Sequence, residues 1–441
     1  EVDGEVGQGA EVALDGGDPG RPGQPAQVEV ALTSMLVARA ESVAQARQRE
    51  LAFVDPAFAA PAPVADFLQW ATFAPSAVRD IRTVNPVYDD LARGLVAYRR
   101  QWSRLPKIEI AAGPPLQKGD RDMRVRMLRA RLGLPAGDVF DAALADAVMR
   151  FQSAHDISAS AVVDDRTRAA LNLGAAHFER LIEANLQRAQ ALPPPVTKRF
   201  ILVNPAAGRL WLYEVGRVVD TMKVIVGALS EQTPNMVGLI RYMVYNPYWE
   251  IPLDIAQESV AAHAARQGAG YVEAKGIEVL SDWSDTASRM SPRDVDWAAV
   301  ASGRVELRLR QTPGPTNAMG TLKFMMPNEL GIYLHDTPDK ALFQAENRQF
   351  SAGCVRLERA ADLAAWIRVD KPLNPAFLGA AQVEDQFSPV TVYVLYLTAG
   401  PASEGVRFYP DVYGRDGARP APPGTLRLTD GRPVSGQAVD R

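Results

Sequence analysis

The chain has 441 residues, 47% of them hydrophobic, which is enough for two or three domains with substantial cores. Its net charge of −4 gives no reason to expect nucleic acid or an anionic membrane surface as a partner. A single cysteine excludes an intrachain disulfide. No run approaches the roughly 18 apolar residues of a membrane span, because the richest stretch, Ala57 to Val78, is broken by Pro61, Pro63, Asp66 and Pro75.

Residues 1–27 are rich in Gly, Pro, Asp and Glu and poor in large apolar side chains, so they read as disordered. The chain begins at Glu1 rather than Met, as it would after removal of a presequence or a trimmed start. Residues 28–118 read as a helical scaffold. Leu32, Met35, Leu36, Ala40 and Val43 recur at helical spacing over 28–50. Tyr88, Leu91, Leu95 and Tyr98 share one face over 86–103, with Pro86 near the start. Residues 119–172 pattern as three short helices, which is enough chain for a small helical domain. Val125, Leu128 and Leu132 mark the first, Phe140, Leu144, Val148 and Phe151 the second, and Thr167 and Leu171 the third. One more amphipathic helix, with Phe178, Leu181, Ile182 and Leu186, occupies the linker 173–195, which ends at Pro193–Pro195.

Beyond that boundary the apolar period changes from helical to alternating. Strands are expected at Arg199–Asn204, Arg209–Glu214, Val218–Val226, Arg241–Tyr245, Val305–Leu309, Thr321–Met325, Gly331–His335 and Val390–Leu397. A late helix is expected at Ala360–Val369. This predicts an α+β chain whose mostly β catalytic domain spans 196–400. A helical, charged insertion at 254–312 interrupts it as a capping subdomain. Residues 401–441 form a carboxy-terminal extension, Pro and Gly rich from Ala418 onward.

The chemistry concentrates at Gly331-Ile-Tyr-Leu-His-Asp-Thr-Pro338 and Ser351-Ala-Gly-Cys-Val-Arg356. Cys354, the sole thiol, lies in a Gly-containing turn, and a nucleophilic cysteine needs a base beside it. His335 ends an apolar strand on which alternation puts Tyr333 on the same face. Asp336 or a backbone carbonyl is expected to fix its tautomer. Gly353 allows close backbone approach, so that adjacent amides can converge on an oxyanion. Arg356 and Arg348 supply positive charge that favours a thiolate. Ser351 is a turn former or a donor to substrate or histidine, and Trp249 is a core aromatic or the wall of a groove. His155, His177 and His263 have no partner motif, and no metal-ligand spacing or phosphate-binding glycine loop is present, so no cofactor is expected.

These motifs resemble the L,D-transpeptidases of bacterial cell walls, whose pattern is a His followed, after a gap of this size, by Ser-His-Gly-Cys and then Arg or Asn. Ala352 stands here where many members carry a second His, and a large two-domain branch with an inserted cap also lacks that His. Asn246-Pro-Tyr-Trp-Glu-Ile-Pro252, Gly320-Thr-Leu-Lys-Phe324 and Phe408-Tyr-Pro-Asp-Val-Tyr413 extend that likeness. Residues 119–172 are similar to a three-helix peptidoglycan-binding module, with Asp156 and Ser160-Ala161 where glycines are common.

The resemblance implies that Cys354 attacks an L,D peptide bond of a tetrapeptide stem with His335 as base. Gly353, Cys354 and Tyr333 would hold the oxyanion, and Ser351, Arg356, Arg348 and Trp249 would contact substrate. It further implies a thioester, 3→3 cross-links to the diaminopimelate amine of a second stem, acylation by carbapenem-type β-lactams, and a periplasmic location. The alternatives are an L,D-carboxypeptidase, a protein-attaching enzyme, a cysteine protease of another fold, and a non-enzymatic wall-binding scaffold.

Overall fold

Caps written into the sequence delimit the helices of the amino-terminal half. The computed structural model describes residues 41–42, 44–55, 85–193, 199–369, 382–402 and 405–417. Within the helix expected over 28–50, residues 44–50 are helical, while 28–40 lie outside the described residues, as do 1–27 and 418–441. Asn85 caps α1 (Pro86–Gln101) by accepting from the Tyr88 amide, with proline at the first position. Aspartates cap the next three in the same way: Asp122 for α2 (Met123–Arg131), Asp141 for α3 (Ala142–Ala154) and Asp164 for α4 (Asp165–Leu173). Each such cap is worth about 1 kcal/mol. Hydrogen bonds from the Leu144 and Thr167 amides hold the carboxyls of Asp141 and Asp164 below their usual range. Gly174, at φ 79°, ends α4 and starts α5 (Ala175–Ala189) in a conformation that favours glycine.

The three-helix unit does not keep a core to itself. Val125, Leu128, Phe140, Leu144, Phe151 and Leu171 belong to one apolar cluster with Leu91 and Tyr98 of α1 and Phe178 and Ile182 of α5. That cluster continues into Phe200, Leu202, Tyr213, Tyr393 and Phe408 of the β region.

The β region is a sheet closed on itself. Strand β1 (Ala52–Phe53) lies parallel to β5, and β2 (Arg199–Asn204), β3 (Arg209–Glu214) and β4 (Arg217–Gly227) form an antiparallel meander before β5 (Met236–Tyr245). The insertion supplies β6 (Trp249–Ile251), β7 (Ile277–Leu280), β8 (Arg289–Met290) and β9 (Arg308–Gln311). There follow β10 (Leu322–Met325), β11 (Leu334–His335), β12 (Gln349–Ser351), β13 (Val355–Leu357), α6 (Ala360–Arg368) and β14 (Val383–Val394). The chain finishes with the hairpin β15 (Ala399–Ala402) and β16 (Gly405–Phe408).

The order β5-β10-β11-β13-β4-β3-β2-β14 is completed by a β14–β5 pairing, which leaves no free edge in that ring. Ile201, Val203, Leu210, Val224, Ile240, Leu322, Phe324, Leu334, Val355 and Leu357 point inward, joined by Leu363 and Ala364 of α6. Residues between them in sequence therefore point outward.

The insertion carries the expected helical segments and, in addition, its own antiparallel sheet in the order β6-β9-β7-β8. Its helical stretch runs through Leu253–Ile255, a π-helical turn at Ala256–Ala261, and Ala262–Gln267. Ile251, Val260, Val272, Val279, Trp297 and Leu309 form a separate small core. Glu278 ties the sheet together by pairing with both Arg289 and Arg310. The strand expected at Val305–Leu309 starts later, at Arg308, and Val305 is exposed.

Candidate active site

Strand register assembles the site. Lys323 pairs with Val244 on one side and His335 on the other; His335 pairs with Arg356, and Arg356 with Ile225. Paired residues share a face. Since Leu322, Phe324, Leu334, Val355 and Leu357 fill the interior, the row Val244–Lys323–His335–Arg356–Ile225 lies on the outer face. Tyr333 and Cys354 precede Leu334 and Val355 and fall on that same face. The Val355 amide, donating to the Tyr333 carbonyl at 3.1 Å, fixes their juxtaposition.

His335 is 2% exposed, and its Nδ1 lies 2.6 Å from the Asp336 carbonyl oxygen. A carbonyl only accepts, so Nδ1 carries the proton and Nε2 is left as the basic atom. Of the two groups considered for fixing the tautomer, it is thus the backbone carbonyl that does so. Burial, then the charge of Arg356 and of Lys323, pushes the imidazole pKa down to about 3. The Asp336 carboxylate accepts instead from the Thr321 amide (3.0 Å), the Thr321 hydroxyl (3.1 Å) and Lys340 Nζ (2.6 Å). Burial works to raise its pKa, but Lys340 and the Thr321 and Thr337 amides outweigh it and hold it low. Gly320 packs so closely that a Cβ there would stand 2.4 Å from Asp336 Oδ2.

Cys354 is partly exposed, with Sγ 3.5 Å from the Gly331 carbonyl oxygen and no hydrogen bond to His335. Burial of the sulfur pushes its pKa up, while the Tyr333 amide and hydroxyl, Lys323 and Arg356 pull the other way. Gly353 is buried at φ 100°, which favours glycine, and its carbonyl accepts from the Thr233 hydroxyl at 2.8 Å. Among the described residues no acceptor takes the Gly353 or Cys354 amide. The Ser351 hydroxyl donates to the Cys354 carbonyl at 2.5 Å, so this buried side chain braces the Cys354 turn from within.

Tyr333 contacts both Lys323 and the sulfur. Lys323 Nζ sits 3.9 Å from its ring centroid, and the His335 ring is 5.7 Å away. Burial raises the phenol pKa well above its usual value, with Cys354 adding to the effect. Arg356 is half-buried, and its Nε is buried without a hydrogen-bond partner.

The other two sequence candidates lie elsewhere. Arg348 spends its guanidinium on the Ala345 (2.9 Å), Gly208 (3.1 Å) and Ala207 (3.3 Å) carbonyls, clipping the β2–β3 turn to the loop before β12. Trp249 packs against the insertion's own core. Its neighbour Glu250 is the residue whose charge reaches the site, acting on Lys323.

Two further positions at the candidate site escape the sequence reading. Lys323 is a charge in the middle of the apolar run Leu322-Lys-Phe324, which alternation places opposite the core; that break in pattern was the available signal. Thr233 gives no such signal. Its hydroxyl accepts from the Gly227 amide (2.8 Å) while donating to Gly353, and Tyr413 donates to the Gly227 carbonyl at 2.7 Å. Among the described residues there is no cluster of three or more potential metal ligands, and no helix is long and apolar enough to cross a membrane.

Residues 198–384 match the family model of the YkuD L,D-transpeptidase catalytic domain, and residues 126–171 that of a putative peptidoglycan binding domain. A putative L,D-transpeptidase of Haemophilus influenzae is 30% identical over 239 residues, covering 53% of this chain and 47% of that protein. The chain thus spans about half the length of this curated relative. Among solved structures, an L,D-transpeptidase of Stackebrandtia nassauensis is 12% identical, with 66% of this chain and 97% of that chain covered at a TM-score of 0.23. The L,D-transpeptidase of Xylanimonas cellulosilytica is 16% identical, with 65% and 100% covered at 0.19. The assignment rests on the two family models rather than on those scores. The chain therefore carries a YkuD L,D-transpeptidase catalytic domain at residues 198–384, with a peptidoglycan-binding domain ahead of it.

Proposed function

We propose that the chain forms 3→3 cross-links between peptidoglycan stems through a thioester on Cys354. The observation that carries this reading is the single outer face that holds Cys354, Tyr333, His335 and Arg356, on strands that the core locks in register. His335 Nε2 takes the thiol proton as Sγ attacks the carbonyl of the L,D bond in a donor tetrapeptide. The free amides of Gly353 and Cys354, with the Tyr333 hydroxyl, stabilise the oxyanion. Collapse breaks the C–N bond; His335 returns the proton to the departing D-Ala amine, and the acyl group stays on sulfur. The side-chain amine of a neighbouring diaminopimelate then attacks the thioester, which forms the cross-link and regenerates the thiol.

Arg356 has a buried Nε without a hydrogen-bond partner among the described residues and acts on Cys354, which suits it to hold a stem carboxylate. Arg348 and Ser351, bound to backbone carbonyls, are better read as supports of the turn. The insertion bearing Glu250 flanks the face and serves as the cap over the donor. A wall substrate implies an exported protein that works in the envelope.

Intact-mass spectrometry with a carbapenem tests the reading. A single drug-mass adduct on wild type and none on Cys354→Ala supports the acyl-enzyme, and muropeptide analysis then separates cross-linking from hydrolysis to tripeptide. An unmodified wild type would sink the thioester reading.

A further inference from the structure

Lys323 is the most unusual side chain on this face. It stands in the centre of β10 with apolar neighbours on both sides, and its own side chain is half-buried. Lysine is strongly hydrated and costs free energy to desolvate, so a structural position here would be filled better by Val or Thr, which suit strands. Its register partners are Val244 and His335, and its ammonium rests on the Tyr333 ring. That ring is the one packed beside Cys354. The aromatic face holds the charge in place without neutralising it, which a carboxylate partner would do. Arg356, two strands away in the same row, provides a second cation on the far side of His335.

We infer that Lys323 is an electrostatic partner of the nucleophile: fixed on Tyr333, its ammonium stabilises negative charge on Cys354 Sγ. The inference rests on Cys354 being the nucleophile. The groups facing Lys323 are Cys354 from the turn and Glu250 from the insertion, and burial lowers its pKa while both of these raise it. The groups acting on Cys354 are Tyr333, Lys323 and Arg356. Arg356 is itself faced by Asp339, Cys354 and Tyr333. With burial working against the thiolate, these cations and the Tyr333 donors are what favour it. Lys323 also helps to keep His335 neutral. The charge therefore lowers the cost of the anionic sulfur while leaving the base free to accept a proton.

The experiment is the pH dependence of Cys354 alkylation by iodoacetamide, a neutral reagent, and by iodoacetate, an anionic one, read by intact mass from pH 6 to about 10. Wild type is compared with Lys323→Met, Lys323→Gln and Lys323→Arg, each first checked for an unchanged melting temperature. If the inference holds, the two neutral variants raise the apparent thiol pKa by about one unit, so that alkylation well below that pKa slows roughly tenfold. They also lower the iodoacetate-to-iodoacetamide rate ratio, whereas Lys323→Arg keeps both near wild type. A purely structural lysine would leave the pH profile and the ratio unmoved in whichever neutral variant folds, and that result overturns the inference. No wall substrate or β-lactam enters the assay, so its failure leaves the transpeptidase reading standing, whereas failed carbapenem acylation alongside intact alkylation shifts would remove the nucleophile's catalytic role while leaving the effect of Lys323 on the thiol.

Discussion

Acidification should loosen the junction between the peptidoglycan-binding domain and the catalytic domain, and His155 is the group that senses it. This histidine follows α3 and is 7% exposed. Its Nδ1 donates to the Phe151 carbonyl at 2.7 Å, and Nε2 faces the Tyr98 hydroxyl at 3.3 Å, an arrangement that the neutral ring satisfies by accepting from the phenol. The imidazole stacks on Phe151 at 4.0 Å and Phe408 at 5.2 Å, with Phe178 edge-on at 4.3 Å, so it touches α1, α3, α5 and β16 together. Burial lowers its pKa from 6.5 to about 4, and Arg131 adds to the effect.

The folded pKa lies below the unfolded one, so between them the unfolded chain binds more protons and stability falls as pH falls. From the 2.5-unit gap the loss reaches about 3 kcal/mol by pH 4, and about 2 kcal/mol by pH 5. His155→Phe keeps the aromatic stack and removes the titration. Because one apolar cluster runs through both domains, they should unfold together. Denaturant unfolding at pH 7, 5 and 4 should show wild type losing stability relative to His155→Phe by those amounts. The His335 contribution is common to both proteins and cancels. Parallel pH profiles for the two proteins would refute the argument.

Two further expectations concern the nucleophile turn. Thr233→Val leaves the Gly353 carbonyl and Gly227 amide without their partner, at about 1–3 kcal/mol per buried group. Acylation by a carbapenem should slow at least tenfold and recover in Thr233→Ser; equal rates in all three proteins would remove Thr233 from the support of Cys354. Gly353→Ala forces a side chain into φ 100°, with its Cβ 3.0 Å from Ile332 Cδ1. The turn should shift, slowing acylation more than tenfold while a distant spectroscopic melt moves by only a few degrees; unchanged acylation would mean that the turn tolerates a left-handed alanine.

Much of the site was legible because its chemistry depends on a few residue types in fixed order. A lone cysteine after glycine, and a histidine ending an apolar strand, retain their meaning without a structure. The meander β2–β4 was readable because its alternation runs through strands of 6 to 11 residues. The insertion's sheet was not, since β6–β9 have only 2 to 4 residues each, too few for a period-2 pattern to stand out. Arg348, a cation near Cys354 in sequence, spends its guanidinium on backbone carbonyls. It follows a 3₁₀ turn at Lys340–Gln344 that carries the loop back toward β2–β3. Thr233 was invisible because its importance lies in bonds to two backbone groups far off in sequence, which no local pattern encodes.

The resting protonation of the dyad follows from the same burial that orders it. Burial pushes the thiol up and the imidazole down to about 3, so both departures oppose a thiolate–imidazolium pair. The cations do not create such a pair either. Lys323 and Arg356 favour the anionic sulfur, but they disfavour a proton on His335 by the same field. Both shifts therefore favour neutral thiol and neutral imidazole until substrate arrives. A stem carboxylate bound to Arg356 would cancel part of that field and raise the basicity of His335 just as the scissile carbonyl arrives. Iodoacetamide carries no carboxylate, so its rate with wild type should climb steadily through pH 7 to beyond 8, following a single high pKa. A plateau of high reactivity between pH 5 and 7 would mean that the ion pair already exists at rest, and substrate-assisted activation of His335 would then have to be abandoned.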